Sequence, residues 1–312
     1  TGEKLKVRWN LTLAANIISA DVAYGDIDTI ASLPGVREVV LENRYEPCVV
    51  DEELTVDPNM STSGEMIGTN AVWNTGYYGA GTRIAIIDSG LDIDHQSFAS
   101  APFLYALEQS GEDIESLDLL DVDEIASHQG QLHAKDSAKN AYRSEKIPFG
   151  FNYPDSGLDT THLNDSQSEP GSHVAGIATA NRFIQAEDGS FVPALETAKV
   201  QGVAPDAQVM VFKVFGKSGG GYESDYMAAI EDALILGADA INLSMGSVYG
   251  GYTRSGVYED ILNSLVASDT VVSISAANSG HWADNALHDQ PGYLYADDVN
   301  TTTHGAPGTY TN

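Results

Sequence analysis

Arg83-Ile84-Ala85-Ile86-Ile87-Asp88-Ser89-Gly90 is a run of strand length whose apolar residues fall on both of its faces before it ends on a carboxylate and a glycine. A strand with one wet face alternates apolar and polar; this one does not, so it reads as an inner strand of a parallel sheet covered on both sides. Apolar runs at 209–214, 238–243 and 270–275 repeat the pattern. Helical spacing lies between them at 173–181, 222–236 and 257–267. Alternation of this kind predicts an α/β fold for residues 72–312, a three-layer parallel sheet with helices on both faces. In open sheets of that type, sites form beyond the carboxyl ends of the strands. The polar residues that follow each strand are therefore the candidates.

Outward from this sheet, residues 1–47 read as a small α+β module. Alternation over Leu5-Val7-Trp9 and Ile18-Ala20-Val22-Tyr24 predicts two strands. Asp26 can cap a short helix through Ile27, Ile30 and Leu33, which Pro34-Gly35 ends before a β-rich run at 36–41. Residues 48–71 are acidic and poor in apolar side chains, and read as an exposed linker open to proteolysis. Residues 100–130 hold eight acids with no Lys or Arg; spacing of Leu104, Leu107, Ile114 and Leu117 predicts a surface helix or two in a solvated insertion.

The chain has 312 residues, with 15 Lys+Arg against 45 Asp+Glu and a formal charge of -30. That length can bury a sizeable core. Charge of this sign repels phosphate, so neither nucleic acid nor an anionic membrane surface is expected as a partner. No apolar run reaches the ~18 residues of a membrane span. The single Cys48 excludes an internal disulfide and a Cys-based zinc site. Regular Asp-rich loops of calcium-ligand spacing are absent, which argues against a calcium-loaded adhesin; no cofactor is expected, and the sequence gives no support for a structural calcium.

Three polar clusters sit where a strand ends or a helix begins. Asp88 leaves a buried strand and needs a partner for its charge. Gly171-Ser172-His173-Val174-Ala175-Gly176 places an imidazole among small residues at a helix start, where it would serve as general base with Asp88 as its orienting carboxylate. Ser275-Ala276-Ala277-Asn278 runs from a strand to an amide that could donate to an oxyanion. Two glycine-bearing segments, Ser218-Gly219-Gly220-Gly221 and Ser244-Met245-Gly246, follow strands and leave backbone groups at a sheet rim, where a peptide could add as a strand.

Asp-Ser-Gly at 88–90, Gly-Ser-His-Val-Ala-Gly at 171–176, Gly-Val-Ala-Pro at 202–205, Asn-Leu-Ser-Met-Gly at 242–246 and Ala-Ala-Asn at 276–278 occur in this order. The set resembles the subtilisin-like serine proteases, over roughly three quarters of the chain, with the Asp, His, Ser order of that family. Val72-Trp73-Asn74 and the phrase from Ile147 to Tyr153 resemble its cell-envelope branch, the lactocepin and C5a-peptidase type. The resemblance implies a secreted or bacterial cell-surface serine endopeptidase, with protein or peptide as substrate. Asp88 and His173 would be catalytic, Asn278 would line the oxyanion hole, and 218–221 and 244–246 would flank the peptide. It also implies that residues 1–47 are a propeptide-like inhibitor whose tail enters the cleft, with processing in the linker.

The chain departs from the family pattern in places. Pro170-Gly171-Ser172-His173 stands where His-Gly-Thr-His is usual, Ala277 replaces a Gly, and His95-Gln96-Ser97 replaces a segment that includes a calcium ligand. A Gly-Thr-Ser-Met-Ala-x-Pro segment is not found, so the 312 residues are expected to be an N-terminal portion, inactive alone, with any export signal upstream. The alternative is a non-catalytic, subtilase-like peptide-binding or scaffold protein.

Overall fold

The computed structural model of the chain describes residues 5–47, 60–111, 113–165, 170–246 and 256–275. At the amino end, β1 (Lys6–Leu11) and β2 (Ile17–Asp21) form an antiparallel pair, followed by α1 (Ile27–Ala31) and then β3 (Arg44–Pro47). Next come α2 (Met60–Ile67), α3 (Thr69–Trp73), β4 (Arg83–Asp88), α4 (Ser100–Gln109), α5 (Val122–His128), α6 (Ala138–Ala141), β5 (Phe149–Asn152) and α7 (Pro170–Thr179). A hairpin of β6 (Phe183–Gln185) and β7 (Phe191–Pro193) leads through α8 (Ala194–Thr197) to β8 (Gln208–Lys213). The last described elements are β9 (Gly221–Tyr222), α9 (Glu223–Ile235), β10 (Ala240–Leu243), β11 (Met245–Gly246), α10 (Gly256–Ala267) and β12 (Val271–Ile274).

The main sheet has five parallel strands in the order β12-β10-β4-β8-β5. β4 is central, as its apolar character on both faces requires. Ala85 and Ile87 face one layer, packing with Met210, Phe212, Ile241 and the α9 residues Met227 and Ile230. Ile86 faces the other, with Val209, Val211 and Ala175 of α7. The predicted three-layer α/β arrangement is present.

Three expectations need correction or extension, and one strand is added to them. Residues 36–41 form no strand, and Val40 and Leu41 are exposed; a β-prone run becomes a strand only where an edge is free to pair with it. The linker expected over 48–71 is helical in its second half, where α2 and α3 lie, and 48–59 fall outside the described residues. The insertion at 100–130 is helical as expected, but it is anchored rather than merely solvated. Phe103, Leu107 and Ile125 are buried, and Arg83 donates to Glu124 at 2.7 and 3.0 Å. Finally, β5 was not recognised as a strand from the sequence pattern, although Phe149 and Phe151 supply buried edge-strand contacts against β8.

Candidate active site

The carboxyl ends of the parallel strands converge on Asp88. Its side chain is 1% exposed. One oxygen, Oδ1, accepts the backbone N–H of Ser89, while Oδ2 is buried with no hydrogen-bond partner. Burial pushes the carboxyl up to about 6, against the pull of the Ser89 amide, nearby hydroxyls and the Lys213 ammonium.

α7 meets this turn at its amino end. Gly171 donates its N–H to Ser89 Oγ at 3.1 Å, and Ser172 Oγ accepts from the Asp92 N–H at 2.8 Å while lying 3.2 Å from His162 Nε2. A Cβ on Gly171 would collide with the Gly90 carbonyl oxygen, so glycine is required by the contact itself. A G171A variant is expected to lose about 1–3 kcal/mol in chemical denaturation. G176A, where an added Cβ meets nothing within 4 Å, is expected to be neutral or stabilising.

Residues advance by about 100° per position on a helix, so His173 stands about 200° around α7 from Gly171. The face toward the sheet is Gly171, Val174, Ala175 and Ala178. His173 and Ile177 share the opposite, exposed face. The structure brings the start of the motif to the Asp88 turn through Gly171 and Ser172, and no hydrogen bond joins the Asp88 and His173 side chains. Asn278 lies outside the described residues.

The two glycine-bearing segments are brought together, on either side of β3. Met245 and Gly246 of β11 pair antiparallel with Pro47 and Glu46, while Gly221 and Tyr222 of β9 pair with Tyr45 and Arg44. The result is a three-stranded sheet, β11-β3-β9. Ser244, just after β10, donates its N–H to Ile87 O at 3.2 Å, which ties this rim to β4. Within 218–221 the roles divide. Ser218 and Gly219 belong to a turn closed by Gly219 N–H to Gly216 O at 2.9 Å; Gly220 lies under the Arg44 guanidinium, and Gly221 carries the pairing.

Tyr45 anchors the middle strand. It is 3% exposed and packs edge-on to Tyr226 of α9, ring centroids 5.7 Å apart. The rest of the amino-terminal module docks along α9. Arg8 and Trp9 both donate to Asp225 Oδ1 at 2.9 Å. The N–H groups of Leu13 and Ala14 donate to Glu231 Oε1 at 2.8 and 2.7 Å, while Glu231 Oε2 lies 2.6 Å from His133 Nε2. Sequence reading missed these acids because their signal is only a helix with buried polar positions.

Comparison with known proteins bears on this arrangement. The model of the Peptidase S8 subtilase family matches residues 79–312. The chain belongs to the subtilase family. This subtilase is similar to the PI-type proteinase of Lactococcus lactis subsp. cremoris, 32% identical over 270 residues, which is 85% of this chain and 12% of that protein. It is 28% identical to the minor extracellular protease Vpr of Bacillus subtilis (strain 168) over 239 residues, 77% of this chain and 23% of that protein. C5a peptidase of Streptococcus pyogenes serotype M6 is 28% identical over 177 residues, 56% of this chain and 13% of that protein. These matches agree with the branch of the family that the motifs resemble. The subtilase chain spans 12% of the length of the lactococcal relative. Among its described residues no helix is long and apolar enough to cross a membrane, and no group of three or more His, Cys, Asp or Glu is placed to hold a metal ion.

Proposed function

We propose that this chain is the peptide-recognition part of a serine endopeptidase domain, taking an extended polypeptide as an added strand between β9 and β11, close to Asp88. The observation that carries the reading is β3, already paired on both sides in that position. Main-chain pairing gives affinity without regard to sequence, and side-chain pockets between the strands give selectivity. Residues 1–47 then act as an intramolecular, product-like inhibitor, with processing in the segment after β3. In this reading Asp88 orients the base, Asn278 donates to the oxyanion, and the seryl oxygen attacks the peptide carbonyl as the base takes its proton; the C–N bond breaks, the amine leaves with that proton, and water hydrolyses the acyl-enzyme ester to the acid and free serine. No cofactor takes part. An extracellular or cell-surface location belongs to the same proposal, supported by the kinds of relative the chain matches.

The outward face of His173 favours a second reading, in which the chain holds extended peptides and does not cut them. Hydrolysis by the full-length gene product separates them, and a fluorophosphonate probe tests the division of the triad. The probe is expected to label no serine of the 312-residue chain, and labelling would overturn the division of the triad proposed here. In the full-length gene product, hydrolysis that falls by about 10⁴ in H173A supports His173 as base. Hydrolysis unchanged in H173A removes it from the mechanism, and peptide binding with no hydrolysis at all supports the second reading.

A further inference from the structure

Lys213 ends β8 directly beside Asp88, its register partner across the parallel ladder. It is 0% exposed, a costly place for an ammonium unless each of its hydrogen bonds is used. Its Nζ donates to the Ser89 carbonyl oxygen and to Asp165 Oδ2, and the Asp165 side chain is itself 2% exposed. Gly90 completes the enclosure: a Cβ there would meet the Lys213 side chain at 3.3 Å and collide with the Thr160 carbonyl. Every polar group of Ser89 is thereby committed. Its N–H donates to Asp88, its carbonyl accepts from Lys213, and its hydroxyl oxygen accepts from the Gly171 N–H of α7.

We propose that Lys213 is a positioning residue for Asp88: with Asp165 as its counter-ion, it pins the Ser89 carbonyl, fixes the Asp88 turn, and supplies the cation that sustains a buried carboxylate with Oδ2 open. The inference deepens the reading of Asp88 as the functional carboxylate and rests on it. Asp165 lies in the segment that leads to α7, so one ion pair ties β8, the Asp88 turn and the approach to that helix. The charged groups around the ammonium are Asp88, Asp165 and Asp159, whose carboxyl it also helps to hold low after the Thr161 and Asn164 hydrogen bonds. Both members of the pair are withdrawn from solvent, so salt does not screen their field at Asp88 as it would on the surface.

The test follows the Asp88 carboxyl directly, by ¹³C NMR titration of Asp-labelled 312-residue chain, with D88N to assign the signal. Because K213M alone strands a buried carboxylate, the cation is removed in the apolar pair K213M/D165L, which such sites commonly tolerate. Asp88 is expected to titrate about one unit higher there, a tenfold loss of acidity. D165N, which leaves the ammonium unopposed, is expected to move Asp88 the other way, and K213R to leave it near the wild-type midpoint. Opposite signs are the signature of a field; a packing defect would not reverse between the two variants. A midpoint unchanged in K213M/D165L, or shifts of the same sign in that pair and in D165N, overturns the proposal. The measurement needs no turnover, so failure of the hydrolytic reading would leave these shifts in place.

Discussion

Y45A is expected to free β3 from the groove between β9 and β11 and to open that groove to peptides in trans. β3 is four residues long and pairs through only two register positions on each side. A backbone hydrogen bond contributes about 1 kcal/mol net, so the short ladder holds the strand modestly. Tyr45, buried against Tyr226, is worth about 3–5 kcal/mol by comparison with other buried aromatic residues cut back to alanine. The side chain therefore rivals the whole ladder as the anchor. Hydrogen exchange at the β9 and β11 amides should quicken by about 10² or more, since each 1.4 kcal/mol is a factor of ten. An extended peptide carrying Tyr at the matching position should bind Y45A more tightly than wild type in fluorescence polarisation. Y45F, which keeps the ring packed on Tyr226, should lose far less of the anchoring than Y45A. Unchanged exchange in Y45A would mean that docking of Arg8, Trp9 and residues 12–15 on α9 holds β3 without its side chain.

The parts of this molecule that could be read from sequence share a cause. β4 and β8 are stretches whose burial on both faces calls for apolar residues, β10 and β12 are apolar runs of the same length that are less deeply buried, and α9 and α10 show the complementary helical spacing. Position along the chain also located the ends of those strands, hence Asp88 and the two rim segments. What could not be read is orientation about a helix axis. Pro170-Gly171-Ser172-His173 announces a helix beginning beside Asp88, but not that Gly171 is buried against the Asp88 turn while His173, two positions on, is exposed. Nor does pattern reveal pairing that depends on a distant partner: β3 is a strand because β9 and β11 flank it, while the more β-prone run at 36–41 is none. The buried ion pair of Lys213 was hidden for a similar reason, because a lysine ending an apolar strand reads as a solvent-exposed boundary.

D88N is expected to stabilise the chain at neutral pH while leaving it nearly unchanged in acid, and the sign follows from the burial of Asp88. Its folded carboxyl sits at about 6 against an ordinary value of 3.8. Between those values the folded state holds a proton that the unfolded state has released, so stability falls as pH rises through the window from about 4 to 6. At about 1.36 kcal/mol per unit, full ionisation of the buried group costs about 3 kcal/mol. Asparagine keeps an oxygen for the Ser89 N–H and carries no charge, so the variant escapes that cost. Asp232, also pushed up to about 6 by its burial, is present in both proteins and cancels in the difference. Thermal melts of D88N and wild type should thus coincide near pH 4 and separate by several degrees at pH 7, the variant melting higher. A difference that stays flat from pH 4 to 8 would show that Asp88 is solvated and would remove the argument for a functional carboxylate. A real separation would mean that the fold keeps a charge there at the expense of its own stability, which a purely structural residue has no reason to do.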